Sequence, residues 1–153
     1  MRITIVDLPE QIAAARRAVQ DSPYADRIAF HAMDVLDPEQ ALPAGADTIW
    51  MSQFLDCFAE EQVLRILQRA AERIGSDGSI FVLELFCDRQ QHDAAAYSLN
   101  ATSLYFTCLA NGVSRMYRSD DLLRLIRQAG LHVQAEHDNL GLGHTLVHCV
   151  NRG

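Results

Sequence analysis

The fold is decided by residues 47–88, which read DTIWMSQFLDCFAEEQVLRILQRAAERIGSDGSIFVLELFCD. The first five residues are a short apolar run with β-favouring side chains, and residues 79–86 are a second run that is apolar on both faces. From Glu60 to Ile74 the apolar side chains recur at helical spacing, which leaves the charged ones for solvent. Strands that are apolar on both faces lie inside parallel sheets covered by helices. The stretch therefore predicts a strand–helix–strand unit of an α/β fold.

The rest of the chain extends this pattern on both sides. Strand–helix alternation in the first two thirds implies a parallel, right-handed α/β sheet, and the last two strands should be antiparallel because a short loop joins them. With no repeat and no linker, we expect a single domain over residues 1–153. The predicted elements are strands at Ile3–Val6, Ile28–Ala32, Leu131–Glu136 and His144–Val150, and helices from Pro9 to about Gln20, from about Gln90 to Ala110, and from an N-cap at Ser119 to Gly130.

The bulk composition excludes several classes of function. The 153 residues are 49% apolar and 22% charged, which is typical of a globular domain. A net charge of -7 argues against a nucleic-acid partner, and no apolar run approaches the ~20 residues of a membrane span. No signal peptide precedes the first strand, and the four cysteines form no CxxC pair. We therefore expect reduced thiols, a cytoplasmic location, no metal site and no membrane partner.

Carboxylates stand at the ends of several predicted strands. Asp56 and Glu84 stand near the C-terminal ends of the two strands of the 47–88 stretch, and Asp7 and Asp34 follow the two strands before it. Open α/β sheets bind ligands at the carboxyl ends of their strands. We therefore expect these four acidic side chains to meet at one edge of the sheet and to form a functional site there.

The order and spacing of these segments resemble the second, catalytic domain of the S-adenosylmethionine-dependent O-methyltransferases that act on small, often phenolic, molecules. The resemblance covers most of the chain and implies a Rossmann-like methyltransferase sheet with S-adenosyl-L-methionine as cofactor. It also implies methyl transfer to a hydroxyl of a small aromatic or polyene acceptor. The residues that carry it are Val6–Pro9, His31–Asp34, Ala46–Met51, Gly78–Glu84 and Ser103–Gly130.

The resemblance also assigns residues to the cofactor. Asp7 takes the place of the acid that holds the ribose hydroxyls, because a carboxylate accepts two hydrogen bonds from a vicinal diol. Asp34 matches the acid beside the adenine. The alternatives are a helix-capping role for Asp7 before Pro9 and a turn-forming role for Asp34. Further implied contacts are Leu8, Met33, Val35, Ser52 and Gln53.

The position of the catalytic base departs from the family pattern. Where the family has a histidine, this chain has Asp56, and Cys57 follows it. The reference pKa values are about 3.9 for aspartate and about 10 for a phenol. Complete transfer of the proton from the phenol to the aspartate therefore costs roughly 8 kcal/mol. Burial and the charge of Glu84 would raise the pKa of Asp56 and so bring it closer to that of the phenol. Glu84 itself could orient the base, and its alternative role is to pair with Arg89. His144 is the other candidate base, with a buried structural role as its alternative.

The family's glycine-rich loop and its N-terminal helical domain have no counterpart in these residues. We therefore expect a fragment of a longer protein, inactive by itself, that lacks the first strand of the sheet. The gap between the strands at Ile3 and Ile49 would be closed by direct pairing or by another chain, which favours a homodimer by domain exchange. The alternative function is a non-catalytic interaction module. A nicotinamide-dependent oxidoreductase is disfavoured because the phosphate-cradling fingerprint is also absent.

Aromatic side chains in the predicted 90–110 helix and after it suggest an acceptor pocket. Tyr97, Tyr105, Phe106 and Met116 could line it, although an aromatic stripe on a helix is more often part of the core. Cys57 and Cys108 are poor candidates for nucleophiles, because no Cys–His pair has a recognisable spacing.

Overall fold

The computed structural model describes residues 1–151, which form two compact units. The first unit is Met1–Ala44 and the second begins at Gly45. Within these residues no helix is both long enough and apolar enough to cross a membrane.

The first unit is a parallel β–α–β arrangement. Its strands pair from Ile3 opposite Ile28 to Asp7 opposite Ala32. The helix between them begins at Pro9, whose fixed φ suits a first helical turn, and its buried residue is Ile12. Its elements are β1 (Ile3–Asp7), α1 (Pro9–Val19), a 3₁₀ turn (Ala25–Arg27) and β2 (Ile28–Ala32).

The second unit is a four-stranded mixed sheet with three helices. The strand order is β3-β4-β6-β5, in which β3 and β4 are parallel and the other two pairs are antiparallel. The last strand of the chain is therefore inserted between β4 and β5. The elements are β3 (Thr48–Ser52), α2 (Glu60–Ile74), β4 (Ser79–Glu84), α3 (Asp93–Leu109), α4 (Ser119–Gln128), β5 (Leu131–Leu140) and β6 (His144–Asn151), with 3₁₀ turns at Leu55–Cys57 and Cys87–Arg89.

The core of the second unit lies on one face of this sheet. Helices α2 and α4 contact each other, and each buries the apolar stripe that its periodicity predicts. The turn between α2 and β4 requires a glycine at Gly78, because a Cβ there would collide with the side chain and carbonyl of Ile74. The largest fully buried side chains of this core include Leu67, Ile80, Val82, Leu122, Ile126 and Val147.

The α/β class and the antiparallel C-terminal pair are confirmed, and α2 has the predicted bounds. The N-cap assignment of Ser119 is wrong. Ser119 is the first residue of α4, and its N–H and hydroxyl donate to the Asp88 carboxylate at 2.9 and 2.7 Å. Strands β1 and β3 belong to separate sheets, so direct pairing between them is not found in residues 1–151. Closure by another chain and the single domain over residues 1–153 stay predictions.

The buried stripe of α2 should dominate the stability of the second unit. We expect Leu67→Ala to lower the free energy of unfolding by about 2–5 kcal/mol, because Leu67 is fully buried and the truncation leaves a cavity. Leu142→Ala is the matched control in the turn between β5 and β6, where the side chain is 93% exposed, and it should change stability by no more than about 0.5 kcal/mol. Urea unfolding followed by circular dichroism measures both. Equal effects of the two substitutions would contradict the placement of the core.

Candidate functional site

In the first unit, Asp7 presents a carboxylate at the end of β1. Its Oδ1 accepts the Leu8 N–H at 2.8 Å, and the residue is exposed. Its Oδ2 has no donor among the residues that the structure describes. The N-cap of α1 is Leu8, and that helix has no side-chain cap, so the helix-capping alternative for Asp7 is wrong.

The segment after β2 lies at the same end of the two-stranded sheet. The Met33 N–H donates to the Asp7 carbonyl at 2.9 Å, which extends the pairing of β1 and β2 by one bond. Asp34 Oδ1 accepts the Leu36 N–H at 2.8 Å, so Asp34 does form a turn. Met33 is buried and Val35 is half-buried. The structure therefore places Asp7, Met33 and Asp34 at one end of the two-stranded sheet, and their role in a nucleoside site stays a prediction.

In the second unit, β3 ends in a sharp change of backbone direction. Ser52 is its last residue, and the Gln53 N–H still donates to the Leu83 carbonyl at 2.8 Å. Gln53 then adopts φ 47°, a left-handed conformation that is uncommon for a residue other than glycine. Strained backbone of this kind clusters at functional sites. Here it turns the chain out of the sheet into residues 54–58.

Glu84 holds the start of that segment. Its Oε1 accepts the Phe54 N–H at 3.0 Å and the Leu55 N–H at 2.9 Å, and only 3% of the residue is exposed. The alternative in which Glu84 pairs with Arg89 is wrong, because Arg89 pairs with Glu136 at 2.7 Å and Asp138 at 3.3 Å instead. Glu84 thus orients the residues immediately before Asp56.

Burial sets the protonation of this cluster. Desolvation, with the charge of Asp56 as a second cause, raises the pKa of Glu84 to about 7. Desolvation also raises the pKa of Asp56 above its usual range, although hydrogen bonds from the Cys57 thiol and from nearby backbone oppose this. The thiol donates to Asp56 Oδ1 over 3.6 Å, and burial and the Asp56 charge raise the pKa of Cys57 to about 11. The raised pKa favours the protonated thiol at neutral pH, which argues against Cys57 as a nucleophile.

The carbonyl groups of the same segment are bound by the loop of residues 111–117. The Arg115 N–H donates to the Asp56 carbonyl at 2.8 Å. Ser114 Oγ and Asn111 Nδ2 donate to the Cys57 carbonyl at 3.2 and 3.3 Å. Tyr117 donates its hydroxyl to the Phe58 carbonyl at 2.6 Å. Sequence reasoning missed these partners, which lie more than fifty positions away from their acceptors. The one local signal is Asn111, which follows a helix and forms a turn.

His144 is the first residue of β6 and is half-buried, and its Nε2 is buried without a hydrogen-bond partner in residues 1–151. Thr145 lies opposite Glu84 in the β4–β6 register. Because successive strand residues face opposite sides, His144 leaves the sheet on the face away from Glu84. The structure therefore does not group His144 with Asp56 and Glu84.

The aromatic residues predicted for the acceptor pocket lie on or near α3. Tyr97 is 77% exposed and Tyr105 is 58% exposed, and α3 has no buried residue. The alternative that these side chains belong to the core is wrong for Tyr97 and Tyr105, whereas Phe106 and Met116 are half-buried. A separate open cleft of about 390 Å³ at the start of α2 is lined by Ala59, Glu60, Glu61, Thr107, Gly112, Val113 and Arg115. No group of His, Cys, Asp or Glu able to hold a metal occurs in the described part of the chain.

Comparison with known proteins gives consistent matches. The family model described as the O-methyltransferase domain matches residues 1–132. A 3-hydroxy-5-methyl-1-naphthoate 3-O-methyltransferase of Streptomyces sahachiroi is 33% identical over 101 residues, which are 63% of this chain and 28% of that protein. A 2,7-dihydroxy-5-methyl-1-naphthoate 7-O-methyltransferase of Streptomyces carzinostaticus is 31% identical over 134 residues, which are 88% of this chain and 37% of that protein.

Solved structures match over nearly the whole chain. TnmH superimposes with a TM-score of 0.87 at 28% identity and covers 99% of this chain and 43% of its own. The O-methyltransferase NcsB1 from neocarzinostatin biosynthesis, in complex with S-adenosyl-L-homocysteine and 1,4-dihydroxy-2-naphthoic acid, gives a TM-score of 0.81 at 25% identity and covers 98% and 42%. The chain thus spans less than half the length of each of these proteins.

The raised pKa of Glu84 predicts a pH dependence of stability. The folded state raises this pKa from 4.5 to about 7, so it binds the proton more tightly than the unfolded chain does. Stability attributable to Glu84 is therefore lost as the pH rises from about 4.5 through 7, by on the order of 3 kcal/mol. Glu84→Gln keeps an acceptor oxygen for Phe54 and Leu55 but has no proton to lose.

The measurement is urea unfolding of wild type and Glu84→Gln at pH 5 and pH 8. We expect the free energy of unfolding of the variant to fall less between the two pH values than that of wild type. Glu72→Gln, at an exposed position of α2, is the control and should behave as wild type does. The same pH dependence in all three proteins would contradict the buried, proton-binding state of Glu84.

Proposed function

This chain belongs to the O-methyltransferase domain family, and from that membership we propose that its protein transfers a methyl group from S-adenosyl-L-methionine to a hydroxyl of a small aromatic acceptor. The resemblance drawn from the sequence is confirmed by the family match. Two curated relatives are named as naphthoate O-methyltransferases, and NcsB1 binds S-adenosyl-L-homocysteine together with a dihydroxynaphthoic acid. These names support a bicyclic or similar aromatic acceptor.

The residues of the first unit fit the nucleoside half of the cofactor. The observation is the free Oδ2 of Asp7, on an exposed carboxylate whose other oxygen is occupied by the Leu8 N–H. Asp7 accepts hydrogen bonds from the ribose hydroxyls, and Asp34 lies beside it at the same strand end to meet the adenine. Leu8, Met33 and Val35 supply the apolar contacts. In the second unit, taken by itself, Ser52 and Gln53 at the end of β3 are the residues that the family resemblance assigns to the cofactor.

The cofactor, when bound, supplies a sulfonium-activated methyl group, so the protein has to orient the acceptor and remove its proton. We assign proton removal to the Asp56 carboxylate. Burial raises the pKa of Asp56, which brings it closer to the pKa of a phenol. The Cys57 thiol donates a hydrogen bond to the Oδ1 atom of Asp56. Orientation in line with the acceptor supplies much of the remaining rate. The single observation that carries this assignment is the anchoring of residues 54–58 on both sides of Asp56.

Glu84 and His144 have different roles in this proposal. Glu84 is a positioning residue, because its carboxylate binds the backbone of Phe54 and Leu55 rather than solvent. His144 is a second candidate for proton transfer outside the cluster of Asp56 and Glu84, because it leaves β6 on the other face of the sheet. Its Nε2 is buried without a partner in residues 1–151, which supports a polar ligand as its partner, since an unsatisfied buried nitrogen is costly.

We also propose that the protein is a cytoplasmic homodimer that acts on a small molecule and uses neither nucleic acid nor membrane as partner. All four cysteines are free thiols, which suits a reducing compartment. The apolar side chains exposed on α3 support contact with another chain. They are Tyr97, Leu104, Tyr105 and Leu109.

Replacement of Asp56 tests the proposed base. In the natural full-length protein we expect Asp56→Asn to lower kcat by about 100-fold or more, the usual contribution of general base catalysis, with binding of S-adenosylhomocysteine unchanged. Asp56→His should recover part of the activity. The assay is methyl transfer to 1,4-dihydroxy-2-naphthoic acid, with Asp77→Asn in an exposed turn as the control. Full activity of Asp56→Asn would leave His144 as the better candidate.

Replacement of Asp7 tests the cofactor site. Hydrogen bonds to a charged group contribute about 1.5–3 kcal/mol, so Asp7→Asn should weaken binding of S-adenosylhomocysteine about 10- to 100-fold in isothermal titration. Asp26→Asn, an exposed change in the same unit, should leave the affinity unchanged. If the wild-type full-length protein gave no heat with this ligand, the non-catalytic interaction module would become the better interpretation.

A further inference from the structure

The loop of residues 111–117, called here the brace, is bonded to two elements. On one side it donates to the successive carbonyls of Asp56, Cys57 and Phe58. On the other side it is tied to α3. Thr107 Oγ1 donates to the Ser114 carbonyl at 3.0 Å, and the Met116 N–H donates to Ser103 Oγ at 3.0 Å. The brace therefore connects the helix that carries the exposed aromatic residues with the segment that carries Asp56.

Asn111 is the residue on which the shape of the brace depends. Its Oδ1 accepts the N–H groups of Val113 and Ser114 at 3.1 and 2.8 Å, and its Nδ2 donates to the Cys57 carbonyl at 3.3 Å. An asparagine can do both because its amide carries an acceptor and a donor. An aspartate at this position would keep the turn but would lose the donor and place a negative charge beside the carbonyl.

Ser114 supplies the second bond to the same carbonyl. The residue is buried, and its N–H and its hydroxyl both have partners, one in the turn and one in the Asp56 segment. Two donors from the brace thus meet at the carbonyl directly after Asp56. A misplacement of a catalytic group by about 1 Å can cost about 100-fold in rate, so bonds of this kind matter for a base.

We propose that Asn111 and Ser114 are positioning residues for methyl transfer, which fix the Asp56 carboxylate by holding the carbonyl of the following residue. This inference rests on the proposed function, because it needs Asp56 to be the base. Thr107 anchors the brace to α3. None of these residues touches the reacting atoms in this assignment, and each acts through the backbone of residues 56–58.

The first test needs no catalysis. We compare amide hydrogen exchange and iodoacetamide labelling of Cys57 in the natural full-length protein and in its Asn111→Asp and Ser114→Ala variants. Loss of the brace should speed exchange at Phe54, Leu55 and Arg115. It should also let the pKa of Cys57 fall from about 11 towards 9, which allows up to about 100-fold faster labelling at pH 8. Peptide mass spectrometry separates the labelling of Cys57 from that of Cys108, since both residues are exposed.

Matched controls separate the brace from general effects of substitution. Within residues 1–151 the Asn100 amide donates to the Ala96 carbonyl of its own helix and not to the Asp56 segment, so Asn100→Asp should change neither exchange nor labelling of that segment. The single hydroxyl proton of Thr107 is shared between the Ser103 carbonyl of α3 and the Ser114 carbonyl of the brace, whereas Thr102 donates to the Ser98 carbonyl of α3. Thr107→Val should therefore loosen the brace and Thr102→Val should not. This pair keeps the test decisive if Asn111→Asp fails to fold.

The second test is kinetic. Asn111→Asp and Ser114→Ala should each lower kcat about 10-fold, while KM for the acceptor and the dissociation constant of S-adenosylhomocysteine stay within about twofold of the wild-type values. The double variant Asn111→Asp with Asp56→Asn should have the same kcat as Asp56→Asn alone, because both residues act through the same carboxylate. Unchanged exchange, labelling and kcat in both brace variants would overturn the inference. Full activity of Asp56→Asn would instead overturn the proposed base, and the exchange data would still decide whether the brace holds the segment.

Discussion

The second unit depends on one buried carboxylate. Glu84, at the end of β4, accepts the Phe54 and Leu55 N–H groups that become available when the chain leaves β3. Burial of a carboxylate is unfavourable unless donors compensate it, and two backbone donors do so here only in part, since the pKa of Glu84 still rises to about 7. The interaction is therefore a constraint that orients a loop at some cost to stability.

The left-handed backbone of Gln53 and the brace also fix the segment of residues 54–58 that Glu84 binds. Gln53 ends the β3–β4 pairing and turns the backbone, so that the next two N–H groups point to a single carboxylate oxygen. Loop 111–117 then binds the carbonyls of the three residues that follow. Asp56 lies between these two supports, with the chain fixed before it and after it. This arrangement gives the Asp56 carboxylate a fixed backbone on both sides and a pKa that burial raises above its usual range.

Elements whose signals are local were predicted well. The bounds of α2 and the antiparallel relation of β5 and β6 follow from spacing and loop length, which short-range sterics and burial determine. The strand order was not predictable in the same way. The insertion of β6 between β4 and β5 depends on the pairing of β6 with β4, whose residues are more than sixty positions apart. The alternation of side chains along β6 does not predict which strands will pair with it. The assignment of Ser119 as a cap failed for a related reason, since its partner Asp88 comes from another segment.

The sequence by itself determined the α/β class, the helices and most strands, and the placement of Asp7, Asp34, Asp56 and Glu84 at strand ends. The sequence determined these features because hydrophobic periodicity, and with it the end of each strand, can be read from neighbouring residues in the chain. Only the tertiary structure decided that Glu84 binds backbone N–H groups instead of Arg89, that His144 faces away from it, and that Asn111 and Ser114 hold the Asp56 segment. Each of these features relates residues that are distant along the chain. A hydrogen bond between such residues forms only when the folded sheet and its loops bring donor and acceptor within about 3 Å of each other, and the face that a side chain occupies depends on how its strand pairs.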